Sequence, residues 1–186
     1  RGIGIIQCGS DVFRNCDATL PIVQQDNFAG LLLANEIIHD IKIDGADRKW
    51  IASDNGVWLL SPDGQKIIYR FTASNSKLLD DKVNEIAIDG TTGEVFFMTA
   101  LGISSFRGTA IDPIEQMKKP IVFPNPVPSG YTGTIGIKEL PINAWVKITE
   151  LDGKLVHQTR SLGGQAIWNG KNYKGERVHS GVYLCL

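Results

Sequence analysis

Residues Ile41 to Ser61, IKIDGADRKWIASDNGVWLLS, align with Ile86 to Phe106, IAIDGTTGEVFFMTALGISSF, once one extra residue is admitted in the second copy. Ile43, Asp44 and Gly45 fall on Ile88, Asp89 and Gly90, a shift of 45, whereas Gly56 falls on Gly102, a shift of 46. A third, partial copy opens the chain, where RGIGIIQC matches NGVWLLSP, so the repeat is expected to begin before Arg1. Self-similarity at this period restricts the fold more than any other feature, because each unit buries its apolar residues against its neighbours.

Within a copy the apolar residues keep the period of strands. Ile41 and Ile43 flank Lys42 and lead into Asp44-Gly45; Trp50 and Ile51 follow; Asp54-Asn55-Gly56 turns; Val57 to Leu60 is a third strand; Pro62-Asp63-Gly64 turns again; KIIYRFT is a fourth. Four short strands in ~45 residues is the pattern of a β-propeller blade, and the period is too long for a leucine-rich repeat. Asp-Gly at 44, 63, 89 and 152 and Asn-Gly at 55 and 169 read as tight turns, since Gly takes positive φ and Asn and Asp tolerate it. None continues into the acidic pattern of a calcium loop. A ring needs at least about four blades to cover its edges, so about two blades plus a fragment of a third should self-associate through open propeller edges.

Past residue 108 the repeat stops. Residues 109–120 are polar and bracketed by prolines, which marks a linker. In VFPNPVPSG, Pro124, Pro126 and Pro128 remove ladder donors and bias their predecessors to extended backbone, which suits an edge strand entering a new domain. Strand signals then return with other spacing: GTIGIKEL, a hairpin AWVKITELDGKLVHQTR turning at Asp152-Gly153, GGQAIWNG, and SGVYLCL. Val146, Ile148 and Leu151 are expected to face Leu155 and Val156 across that hairpin. Residues 121–186 therefore read as an immunoglobulin-like β-sandwich, and the chain as all-β, a partial β-propeller over 1–108 followed by that sandwich.

The 19 basic and 20 acidic residues leave a net charge of −1 with no basic patch, which argues against nucleic acid or an anionic membrane surface. The longest apolar candidate, FAGLLLANEII, is interrupted by Asn35 and Glu36 and falls short of the ~20 residues of a spanning helix. The chain opens at Arg1 without Met or a signal peptide and reads as an excerpt of a longer protein. Cys8 and Cys16 could close a short disulfide loop outside the cytoplasm, or stand as two half-buried thiols on neighbouring strands. His39, His157 and His179 lie far from them and from each other, so no metal or cofactor is assigned. No nucleophile stands near a base in a recognisable motif, so no catalytic residues are assigned and the chain reads as non-enzymatic. Asp47, Arg48 and Lys49 read as a solvated, charged tip that could touch a partner, and Asp80-Asp81 as a solvated loop.

IKIDGADRKWIASDNGVWLLSPDG resembles the two-component regulator propeller repeat over about residues 2–108, with EVFF of the second copy standing where the first has Trp50. VFPNPV, VKITELDGKLV and WNGKNYKGERVHSGVYLCL, in order, are similar to the C-terminal sorting domain of type IX secretion substrates. That resemblance sets Pro124, Asn125 and Pro126 on its opening motif, Trp168 and Gly170 on its turn, and Ser180, Gly181, Val182 and Tyr183 on its penultimate signature. It also implies a further strand beyond Leu186. Propeller repeats joined to a sorting domain resemble PorZ-like surface proteins of the Bacteroidetes. The resemblance implies the C-terminal part of a non-enzymatic cell-surface or outer-membrane protein working with type IX secretion machinery, with a glycan or protein partner and no cofactor. The alternative is the periplasmic, glycan-recognising sensor of a hybrid two-component histidine kinase, because such repeats occur there too.

Overall fold

The computed structural model describes residues 2–6, 17–25, 28–115 and 119–186; Cys8 and Cys16 lie outside them. Among the described residues there is no helix, and the strands form several small sheets. Two compact units result: one of residues 1–43, 47–88 and 94–106, the other of 107–186 together with the turns 44–46 and 89–93.

In the first unit, β1 (Ile22–Gln25) and β2 (Phe28–Leu31) form an antiparallel hairpin, and Ile5 bridges Thr19. Strands β3 (Ile38–Ile43), β4 (Lys49–Ser53), β5 (Gly56–Leu60) and β6 (Ile67–Phe71) make one antiparallel sheet in that order, with turns at the Asp-Asn-Gly and Pro-Asp-Gly signals. Strands β7 (Val83–Asp89), β8 (Glu94–Thr99) and β9 (Gly102–Arg107) make a second sheet of three.

The four-stranded sheet is covered on both faces. Trp50, Ala52, Val57 and Leu59 pack with Ile86, Val95 and Phe97 of the second sheet, whereas Ile51, Trp58 and Leu60 pack with Leu32 and Leu33. Burial on both sides is why β5 reads as the unbroken apolar run VWLL instead of alternating. The charged tip expected at Asp47 to Lys49 is not a solvated one: Arg48 is buried, and Lys49 Nζ donates to the carbonyls of Asp47 (2.8 Å) and Pro62 (2.6 Å). Asp47 alone of the three stays exposed.

The hydroxyl of Ser53 donates to Gly56 O at 3.0 Å, and Thr99 Oγ1 donates to Gly102 O at 2.9 Å. Ser53 is thus the counterpart of Thr99, a shift of 46, while Gly45 keeps its shift of 45 to Gly90. The extra residue of the second copy therefore lies between Gly90 and Thr99. The Asp-Gly pairs divide into two kinds. Gly64 and Gly153 have φ of +70° and +87°, as tight turns require. Gly45 and Gly90 lie outside the left-handed region, and their lack of a side chain serves close approach instead. A Cβ on Gly45 would sit 2.1 Å from Ile111 O, and one on Gly90 would meet the Asp112 carboxylate at 1.9 Å.

Those contacts define part of the second unit. Ala110 and Ile111 are buried, and Ile111 bridges Gly163 in parallel. Asp112 N donates to Gly90 O (2.7 Å), Gly164 N to Ile111 O (2.8 Å), and Gln165 Nε2 to Thr109 O (2.7 Å). The rest of the unit is two sheets around one core. One has the order β10 (Ile121–Phe123), β11 (Ile135–Lys138), β14 (Ala166–Trp168); the other has β13 (Leu155–Arg160), β12 (Trp145–Thr149), β15 (Leu184–Cys185). Ile137, Val146, Ile148, Val156 and Trp168 meet between them. Two residues of the expected hairpin face are missing from that core: Leu151 is 68% and Leu155 41% exposed. Leu151 stands in the turn, and a register shift after Ile148 pairs Thr149 with Leu155, so strict alternation does not carry across it.

Asp89 closes the β7–β8 turn by accepting from the hydroxyls of Thr91 and Thr92, both at 2.6 Å. These bonds hold its carboxyl down to about 2 from an ordinary 3.8. A pKa depressed on folding contributes stability that is complete above the unfolded value and is lost as pH falls through the folded one. The Asp89 contribution should accordingly disappear between pH 3.8 and about 2. Carbon-detected NMR titration of a Thr91→Val/Thr92→Val variant should return the Asp89 midpoint toward the ordinary carboxylate value; an unchanged midpoint would contradict this account.

Candidate functional site

The residues singled out by sequence lie in the second unit, on two loops and a short strand. β10 is an edge strand, paired only with β11, and Phe123 stands opposite Gly136. Its ring covers that glycine so closely that a Cβ there would sit 2.7 Å from Phe123 Cε1, and Lys138 Nζ lies 5.1 Å from the ring centre. Pro124 is half-buried, and Asn125 and Pro126 are exposed in the bend that follows. The loop then closes through Tyr131, whose amide donates to Pro128 O (3.1 Å) and whose hydroxyl donates to Thr134 O (2.9 Å).

Trp168 ends β14 in the core, with its indole N–H donating to Lys171 O at 2.9 Å. Gly170 turns the chain at φ +70°. Residues 170–178 then form a finger: Lys171 bridges Arg177, and Val178 N donates to Gly170 O at 3.0 Å. Asn172 organises its tip, its side-chain oxygen accepting from the amides of Lys174 (2.9 Å) and Glu176 (3.0 Å). Tyr173 projects from the tip, 62% exposed, with its ring 5.8 Å from that of His157. Ser180, Gly181 and Val182 are exposed in a bend, and the closing strand is shorter than SGVYLCL implies, only Leu184–Cys185. Tyr183 returns to the core, edge-on to Trp168 at 5.7 Å, with its hydroxyl on His179 O at 2.9 Å.

The structure thus joins Trp168 to Tyr183 by direct contact and leaves Ser180 to Val182 at the surface. No group of His, Cys, Asp and Glu fit to hold a metal occurs among the described residues. Cys185 is a free thiol, pushed up by burial. In the first unit, an apolar recess of about 230 Å³ is lined by Ile3, Ile5, Leu32, Ile51 and Leu60. Lys49 also lines it, with its ammonium engaged on Pro62 O.

No family model matches the chain, and no curated protein matches it. Among solved structures, PorZ of Porphyromonas gingivalis, an essential bacterial surface component of that organism's type IX secretion system, superposes with a TM-score of 0.63 at 30% identity. The likeness covers 99% of this chain and 25% of the PorZ chain. The chain resembles PorZ almost end to end.

Because nearly every residue is covered, the likeness to PorZ runs through the repeat sheets and the terminal sheets alike. The chain spans about a quarter of the length of PorZ. Residue type and spacing single out Pro124 to Pro126, Trp168 and Tyr183, but not Tyr131 or Arg177. Arg177 Nη2 donates to Tyr131 O, tying the finger to the opening loop across 46 residues of chain. A local pattern carries no signal of such a pair, since Arg177 reads as one more solvated charge.

Proposed function

We propose that this chain is a PorZ-like, non-enzymatic extracytoplasmic binding protein. In this reading the repeats are propeller blades that bind a surface glycan or protein partner, and the last, immunoglobulin-like domain directs outer-membrane export through the type IX machinery to the cell surface. The observation that carries the proposal is the 30% identity to PorZ over 99% of the chain. It is supported by a terminal unit of two three-stranded sheets in which Val122 of the opening strand, Trp168 and Tyr183 pack into one core. No helix among the described residues is long and apolar enough to cross a membrane. Self-association through open edges belongs to the same reading, with Leu101 and Ile103 exposed on the rim of the β7–β8–β9 sheet.

The test is surface display in a bacterium with a working type IX system. The full-length gene product is expressed there and probed by protease on intact cells. The wild type should be degraded from outside, and a Pro124→Ala/Asn125→Ala/Pro126→Ala variant should be protected in the periplasm. A triple variant displayed as well as the wild type would defeat the export reading.

A further inference from the structure

We infer that Arg177 is a positioning residue that joins the Trp-Asn-Gly finger to the Pro-Asn-Pro loop, so that export machinery meets the two as one surface. This rests on the sorting reading above. The opening loop has few anchors of its own: Asn125, Pro126, Val127 and Pro128 are exposed, and a side chain on Gly130 would meet nothing within 4 Å among the described residues. It is fixed at its far end by Tyr131, held locally by Pro128 O and Thr134 O. Arg177, from a distant segment, reaches its backbone there through Tyr131 O.

The finger is suited to serve as the fixed partner. Its base is closed by the Lys171–Arg177 bridge and by Val178 N on Gly170 O, and its tip by Asn172. The Arg177 guanidinium passes over Gly170, with its carbon 3.6 Å from where a Cβ would stand. A planar, always-charged group with five donors on a short, braced arm is well suited to hold a carbonyl in place. The loop position is therefore set by Arg177, and through it by the turn that Trp168 begins.

The experiment compares Arg177→Ala, Arg177→Lys, the Pro124–Asn125–Pro126 alanine variant and Lys77→Ala, an exposed control in the first unit, all in the full chain. Three readouts are taken: thermal unfolding of purified protein, hydrogen exchange at the Tyr131 amide, and protease-accessible surface display. Loss of the Arg177 bond to Tyr131 O should loosen the turn that the Tyr131 amide closes on Pro128 O and speed exchange of that amide several-fold in Arg177→Ala, with little change in the melt. Surface display should fall with it, recover in part in Arg177→Lys, and stay normal in Lys77→Ala. If the triple alanine variant is trapped while Arg177→Ala is displayed like the wild type, the export reading stands and the Arg177 assignment is overturned. If Arg177→Ala is trapped with unchanged Tyr131 exchange and a lowered melt, its role is structural only and the assignment is likewise overturned. If the triple variant is displayed normally, the export reading fails and the assignment falls with it.

Discussion

Trp50→Ala is expected to destabilise the first unit by about 3–5 kcal/mol, the cost of emptying a large aromatic site in a packed core. Trp50 is wholly buried, and its ring lies 6.0 Å from Phe71, 5.8 Å from Phe97 and 6.0 Å from Phe106. Its strand is paired on both sides, to β3 and to β5, so the backbone cannot sink into the space left by the indole. Two sheets would then face a void lined by three phenyl rings. Urea unfolding, with hydrogen exchange of β4 and β8 amides as the local probe, should show the loss. Ile103→Ala, at a side chain 64% exposed, should stay within about 0.5 kcal/mol of the wild type. Similar losses from the two variants would mean that Trp50 is not the centre of this core.

The second large effect separates two glycines that share a dipeptide. Gly45→Ala places a methyl group 2.1 Å from Ile111 O and 2.4 Å from its carbonyl carbon. Both are backbone atoms, held by the Gly164 amide and the Ile111–Gly163 bridge, so neither can move without breaking the crossing. The expected loss is about 3 kcal/mol, the upper end for overpacking a dense site. In Gly64→Ala the new methyl group has, among the described residues, only Ile5 Cδ1 within 4 Å, at 3.6 Å. There the cost is that of left-handed backbone at φ +70°, about 1 kcal/mol. Exchange of the Asp112 and Gly164 amides should rise steeply in Gly45→Ala and hardly change in Gly64→Ala. Equal losses, with no local opening at Asp112, would show that Gly45 is there for turn geometry alone.

That contrast also marks what was legible. Strand positions in the first copy follow from local alternation and turn residues: Ile41 and Ile43 lie in β3, Val57 to Leu60 in β5, and KIIYRFT contains β6. Alternation misjudged Leu151 and Leu155, because a bulge changes which side a residue faces and leaves no mark in composition. Arg48 was misjudged for a related reason. A charged residue in a turn is usually solvated, and only the packing of the strands shows that this one is covered. In the candidate site, Trp168 and Tyr183 could be singled out by type and spacing, but their edge-on contact depends on a chain reversal through the finger.

By itself, the sequence determined the all-β character, the repeat and the places where strands turn. Those properties reside in neighbouring residues: φ preferences, side-chain alternation and missing amide donors act over a few positions. Tertiary structure alone decided that Gly45, Gly90 and Gly163 make room for residues 110–112, that the first sheet is buried on both faces, and that Arg177 reaches Tyr131. Each is an approach between segments far apart in the chain. Steric exclusion and hydrogen bonding there depend on distances that no local pattern encodes.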